Sequence, residues 1–316
     1  MEIFNVTTSL KIALSVLYAI LVLMSVIGYG LKFAGKHVDN FIIRMRSFWI
    51  IILLFTGAFI FCKEISFLFI MFLCYLALKE FFSIMPTHRN NREIMLWAYL
   101  AIPVQFYFLY IDWYVMFYLF IPLYMFLLIP VRMIFKGEVE GFIKSCSIVH
   151  WGLMSTVYSL GYVLMFFAIP ASINPKGGIL GLLFYILVIT IANDFTQFFF
   201  GKLFGKHKIV PTISPNKTWE GFIGGIFGTT VLSVIMGYFL TPLSIVQSVI
   251  IGIILAIAGF LGDVTMSAIK RDLGIKDTSQ LIPGHGGILD RFDSLIFTAP
   301  IFFHYIAYTF NISILR

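Results

Sequence analysis

The chain reads as an all-α integral membrane protein, a polytopic helical bundle of about 9–10 transmembrane helices. Three observations predict this. Of its 316 residues, 60% are hydrophobic and only 12% are charged, where a soluble domain carries roughly 25% charged residues. The apolar residues fall in runs close to the length of about 20 that crosses a bilayer. The basic residues, which give a net charge of +7, gather in alternate connecting loops rather than in one tract.

The predicted spans are 10–31, 47–62, 65–83, 94–111, 113–131, 147–169, 178–200, 221–240, 244–266 and 293–312. The first apolar run, from Ile12 to Leu31, is too long for a signal-peptide core and lacks a basic leader, so it is read as a retained span. The second is short and reads as a half-span or an interfacial helix as readily as a crossing. Orientation follows from Lys and Arg. Lys32, Lys36, Arg44 and Arg46 follow span 1; Arg89 and Arg92 follow span 3; Arg132, Lys136 and Lys144 follow span 5. Lys202, Lys206, Lys208 and Lys217 follow span 7, and Lys270, Arg271, Lys276 and Arg291 follow span 9. The other side holds only Lys63, Lys176 and Arg316, with Lys11 near its edge. These five basic loops are therefore expected in the cytoplasm, with both termini outside. The charge is mostly a topology signal and calls for no nucleic-acid partner, although part of it also suits an anionic lipid headgroup or a nucleotide. Cys62, Cys74 and Cys146 lie in or beside apolar segments without CxxC spacing, and read as small buried hydrophobes rather than a disulfide or zinc framework.

Two of the basic loops differ from plain tethers. The first runs from Asn193 to Gly225. Asn193, Asp194, Thr196 and Gln197 interrupt an otherwise apolar span, and Asp194 lies about 9 Å inside it at 1.5 Å per residue. A charge near the bilayer centre costs about 2.5–3.5 kcal/mol on insertion scales, so it needs a partner or a function. A basic, flexible GKLFGKHK stretch follows, then Ser214-Pro215-Asn216-Lys217-Thr218-Trp219-Glu220-Gly221. Asn216 or Thr218 is suited to cap the next span. Hydroxyls, a lysine and free N–H groups at a helix start suit phosphate, against the plainer reading of a solvated basic loop.

The second loop is richer. Asp263, Ser267 and Lys270 stand at i, i+4 and i+7 and share a face if helical; Asp290 and Asp293 stand at i and i+3. Between them Pro283 and several glycines allow sharp bends and close approach to a ligand. Carboxylates near bases suit phosphate chemistry, in which oxygen ligands hold Mg²⁺ while the bases neutralise phosphates.

The stretch SAIKR followed by KDTSQLIPGHGGILDRFD, from Ser267 to Asp293, closely resembles the signature of the phosphatidate cytidylyltransferases, also called CDP-diacylglycerol synthases. GKLFGKHK and SPNKTWEGFIGG resemble that family's upstream segment, and the likeness covers roughly residues 190–310. One departure stands out. Where many members have an aspartate followed by an alanine-tyrosine pair, this chain reads Asn193-Asp194-Phe195-Thr196-Gln197-Phe198, as a divergent bacterial-type branch would. The resemblance implies that CTP and phosphatidate yield CDP-diacylglycerol and pyrophosphate at the cytoplasmic face of a bacterial inner membrane. It assigns residues 1–170 as N-terminal transmembrane helices and 171–316 as the catalytic transmembrane region. It implies that Asp263 and Asp290 ligate Mg²⁺, with Asp194 and Asp293 completing the metal set or its surroundings and room for a second, monovalent or divalent cation. Lys217, Lys270 and Arg271 are then expected on the triphosphate or lipid phosphate, and Ser214 and Ser267 as donors to phosphate oxygens. Asn216, Thr218 and His285 are further candidates. A homodimer fits the family, and the sequence itself does not specify one.

Three alternatives stay open at this level, the plainest being a non-catalytic scaffold, which would leave the paired loops without a purpose. Another CTP-using membrane enzyme, such as a polyprenol or phytol kinase, shares the topology and the substrate charge. A transporter would spread charges along several mid-membrane spans or broken helices, whereas here they gather near one face, Asp194 excepted.

Overall fold

The computed structural model describes residues 6–86, 92–135, 137, 140–284 and 286–313; Arg89, Lys136, His285 and Arg316 lie outside the described residues. Among those described, nine helices are long and apolar enough to cross a membrane. They are α1 (Thr8–Phe33), α2 (Asp39–Phe61), α3 (Lys63–Ile84), α4 (Glu93–Tyr110), α5 (Tyr114–Phe135), α6 (Phe142–Ala168), α7 (Gly178–Phe204), α8 (Trp219–Leu240) and α9 (Ile245–Asp272). A tenth, α10 (Leu295–Thr309), has 15 residues and is preceded by a single turn, Leu289–Phe292. The polytopic all-α architecture expected from the sequence is the one observed.

Local chemistry accounts for the helix ends. The Thr7 hydroxyl accepts from Leu10 N at the start of α1, and Ser244 and Gln247 form a reciprocal capping box on α9. The wide π-helical turn in α5, Phe120–Met125, contains Pro122, whose ring supplies no N–H. The second span is a full helix of 23 residues rather than a half-span. It begins within the basic stretch, because Arg44 and Arg46 continue the helix beyond the apolar run. The same extension lengthens α7 to Phe204 and α9 to Asp272, so the start of each distinctive loop is helix rather than coil.

Several connections are very short. Cys62 alone separates α2 from α3, and three residues, 111–113, separate α4 from α5. The two long connections carrying the distinctive motifs, 205–218 and 273–288, meet at the other end, where Arg271 Nε donates to Ile213 O at 3.2 Å.

Packing is densest between α7, α8 and α9. A Cβ on Gly221, Gly225 or Gly228 would collide with Gln197 or Thr196 of α7, so small residues on α8 let the two backbones approach, as the glycine cluster suggests. A polar ladder runs through this apolar bundle. Tyr185 OH meets Ser233 Oγ at 2.6 Å, and Thr190 meets Thr298 at 2.8 Å. Asn193 Oδ1 accepts from Gln197 Nε2 at 2.9 Å and from Thr229 Oγ1 at 3.2 Å. In a bilayer such groups must find partners within the protein. The apolar core is continuous from the N-terminal helices (Leu78, Phe81, Phe117) to the C-terminal ones (Tyr185, Phe302, Phe303).

Candidate active site

The loop 205–218 folds back on itself. Lys208 and Thr218 pair as an isolated bridge, Ile209 N donates to Lys217 O at 3.2 Å, and Trp219 N donates to His207 O at 2.9 Å. Glu220 fastens this hairpin by accepting from Lys206 N at 3.0 Å and from His207 N at 3.2 Å. Thr218 caps α8, its Oγ1 accepting from Gly221 N at 3.2 Å, and is buried against Gly201 and Gly205. Of its two expected duties the structure displays the cap. Asn216 is exposed at the hairpin rim, and Ser214 is half-buried.

The fold-back carries Lys217 inward. Its Nζ lies 2.6 Å from Asp263 Oδ2 on α9, 3.0 Å from Gln197 Oε1 on α7 and 5.2 Å from the centre of the Phe260 ring. One ammonium thus joins both neighbouring helices to the start of α8. Asp263 also accepts from Ser267 Oγ at 3.3 Å, so the predicted shared face of α9 is real. Asp194, ten residues from the end of α7 and hence about 15 Å along it, accepts from Ser294 Oγ at 3.1 Å. It is exposed on a face shared with Ile191, Phe195 and Phe198. A carboxylate open beside lipid-facing side chains at that depth calls for a partner or a function.

The second loop brings a further lysine–aspartate pair to α9. Lys270 Nζ lies 2.7 Å from Asp290 Oδ1, with the two side chains 11% and 5% exposed. Asp290 Oδ2 accepts from Thr278 N at 2.9 Å, Thr278 Oγ1 at 2.8 Å and Gly287 N at 3.0 Å. Burial raises the Asp290 carboxyl, but the Lys270 ammonium and the two N–H donors outweigh it and hold the group below the usual carboxylate range. Asp293 faces the other way, and Ser294 N donates to its Oδ1 at 2.7 Å. Burial, reinforced by the charges of Asp263 and Asp194, pushes its carboxyl well above the ordinary value. The i, i+3 pair therefore does not act as one face. Asp290 is committed to Lys270 and the loop, whereas Asp293 shares its field with Asp263 and Asp194. Arg271 Nε and Nη1 brace Ile213 O and Ile275 O across the two loops. The described part of the loop turns through Gly284 and Gly286, both at positive φ.

The Asp290 shift has a definite sign. A carboxyl whose pKa is depressed on folding contributes stability above its unfolded value of about 3.9 and loses it as pH falls through the folded value. The thermal midpoint of the detergent-solubilised protein is expected to decline below about pH 4, and Asp290→Asn is expected to flatten that acid limb. An identical limb in the variant would exclude Asp290 as its source.

Among the described residues no three acidic, histidine or cysteine side chains stand close enough together to enclose a metal ion. The donor chemistry nevertheless suits a hard divalent cation. Asp194, Asp263 and Asp293 are oxygen donors within one another's fields, and their mutual repulsion is what a cation relieves.

Sequence reasoning missed Glu80. It is buried near the C-terminal end of α3, and its carboxylate accepts from Ile288 N at 2.9 Å, Leu289 N at 3.3 Å and the Thr278 hydroxyl. The signal was present in the chain. An acidic residue inside an apolar span needs a partner or a function, for the same reason that Asp194 does.

Comparison with known proteins agrees with this geometry. A sequence model of the Cytidylyltransferase family matches residues 42–309. An uncharacterized Escherichia coli K12 protein, YnbB, is 37% identical over 301 residues, covering 95% of this chain and 99% of the relative. The phosphatidate cytidylyltransferase of Staphylococcus haemolyticus is 43% identical over 150 residues, which is 47% of this chain and 55% of that protein. That of Staphylococcus saprophyticus is 46% identical over 121 residues, 38% of this chain and 46% of the relative. The chain thus aligns with about half the length of these named enzymes and with nearly all of the uncharacterized one. It belongs to the cytidylyltransferase family.

Proposed function

We propose that this integral, multi-pass membrane protein transfers the cytidylyl group of CTP to the phosphate of phosphatidate, yielding CDP-diacylglycerol and pyrophosphate at the cytoplasmic face of a bacterial inner membrane. The observation that carries the reading is the convergence of two sequence-distant segments on α9, where Lys217 lies against Asp263 and Asp290 against Lys270. Family membership and the staphylococcal relatives support the choice of nucleotide and lipid.

The chemistry asks little covalent work of the protein. A phosphate oxygen of the lipid attacks the α-phosphorus of CTP, the bond from the α-phosphorus to the bridging oxygen breaks, and pyrophosphate departs with that electron pair. Positioning and charge neutralisation supply most of such a rate enhancement. Lys217 and Lys270 bind phosphate oxygens by loosening from their aspartates, and Arg271 adds a third positive charge at the rim. Ser267 and Ser214 donate to the same oxygens, while Asn216 and the capped Thr218 border the nucleotide. Asp194, Asp263 and Asp293 would hold Mg²⁺ on drawing closer than they now stand, with Asp290 as a further donor once Lys270 turns to substrate. Bound there, the ion would supply the neutralisation that lets two anionic phosphates meet. The exposed side of Asp194, beside lipid-facing Ile191, Phe195 and Phe198, is where the headgroup enters while the acyl chains stay in lipid.

The test uses purified protein in detergent with CTP, phosphatidate and Mg²⁺, following pyrophosphate and the mass of the lipid product. CDP-diacylglycerol with stoichiometric pyrophosphate is expected. Release of CDP with a newly phosphorylated lipid would replace this reading by the kinase one, and turnover only with other lipid phosphates would move the acceptor.

A further inference from the structure

We infer that Glu80 is a positioning residue for the reaction proposed above: from α3 it holds Thr278 and residues 287–289 in the arrangement that keeps Asp290 against Lys270. The inference rests on that reading of the site. It goes beyond it by assigning a part to an N-terminal helix.

The geometry is that of a clamp. Glu80 is 6% exposed. Its Oε2 accepts from Ile288 N at 2.9 Å and its Oε1 from Leu289 N at 3.3 Å. Immediately beside these, Asp290 Oδ2 accepts from Gly287 N at 3.0 Å and Thr278 N at 2.9 Å. The two carboxylates therefore divide three successive backbone N–H groups between them. Thr278 Oγ1 lies within hydrogen-bond reach of both, and its single proton serves one at a time. A Cβ on Gly287 would run into Glu80 Oε1 and Thr278 Oγ1, so the backbone reaches this position only as glycine.

A carboxylate is a costly way to fill apolar space, since burying a charge is unfavourable unless its bonds are met. What Glu80 gains is three donors, all from the loop. Glutamine offers one acceptor oxygen and turns an NH₂ toward N–H groups that need acceptors. A second hold acts at the loop's far edge, where Ser47 Oγ donates to Pro283 O at 2.8 Å. It touches neither Asp290 nor its donors, so it provides a control for ordinary loop anchoring.

The experiment compares Glu80→Ala, Glu80→Gln, Thr278→Val and Ser47→Ala in the full-length, Mg²⁺-supplied protein. It measures kcat, KM for CTP, thermal midpoint, and hydrogen–deuterium exchange over 276–290. Displacement of a reacting group by about 1 Å can cost 10²-fold. Glu80→Ala is therefore expected to lower kcat by about 10- to 100-fold per folded molecule, with KM for CTP nearly constant and faster exchange over 276–290. Glu80→Gln should recover part of kcat, Thr278→Val should fall between, and Ser47→Ala should leave kcat unchanged. A lowered midpoint with normal kcat in the Glu80 variants would reduce the residue to a fold anchor and overturn the inference, as would unchanged exchange over 276–290. Absence of CDP-lipid from the wild-type protein would refute the reaction instead, and the exchange measurement would still decide whether Glu80 holds the segment.

Discussion

Asp263→Asn is expected to lower kcat for CDP-lipid formation by about 10²–10³-fold, the cost typical of removing one charge-stabilising group from a preorganised site. It should also raise the Mg²⁺ concentration needed for half-maximal rate. The substitution keeps the shape of the side chain, and its amide oxygen can still accept from Lys217, so the helices stay joined. It removes the negative charge that Lys217, Asp194 and Asp293 all face. Loss of that charge also eases the repulsion on Asp293. The variant is therefore expected to be as stable as the parent or more so while being far less active. Steady-state kinetics across a Mg²⁺ titration, with thermal midpoints measured alongside, checks both halves. Near-normal turnover with unchanged Mg²⁺ dependence would take Asp263 out of the metal set and leave it as the holder of Lys217.

The spans were legible because hydropathy is a local property and a bilayer enforces it over about 20 residues. The sequence was less informative wherever a charged residue continued a helix. Arg44 and Arg46 made α2 look short, and Lys202 and Lys270 hid the ends of α7 and α9, because a helix that enters the aqueous interface keeps its backbone bonds while its side chains turn polar. The i, i+4, i+7 face of α9 was correctly visible for the same local reason. What could not be read was pairing across distance. Nothing near Glu80 in sequence points to Ile288, and nothing near Lys217 points to Gln197.

The departure at Asn193–Phe198 takes on physical meaning in that light. Gln197 fills the space left by Gly225 and accepts from the Lys217 ammonium that also contacts Asp263. A residue of this segment thus sits directly on one of the proposed phosphate-binding cations. A small residue there would leave Lys217 tethered by Asp263 alone.

Lys270→Met is expected to be the most damaging single change to stability. Asp290 is 5% exposed at its side chain, and removing the partner of a buried charge costs about 3–5 kcal/mol. Unfolding curves in mixed detergent should show the loss, and activity should vanish with it, because the same ammonium is assigned to substrate phosphate. A second substitution separates the two roles. In Lys270→Met/Asp290→Asn the buried charge is gone. The asparagine oxygen can take the place of Oδ2 and accept from Thr278 and Gly287, leaving its amide toward the methionine. Much of the stability is then expected to return while turnover stays absent. Recovery of both together would make the pair a structural tie and leave Lys217 and Asp263 as the working centre. Recovery of neither would mean that the loop needs the full charge of Asp290 to gather its donors, which would place the Lys270–Asp290 bond, rather than the separate groups, at the base of the site.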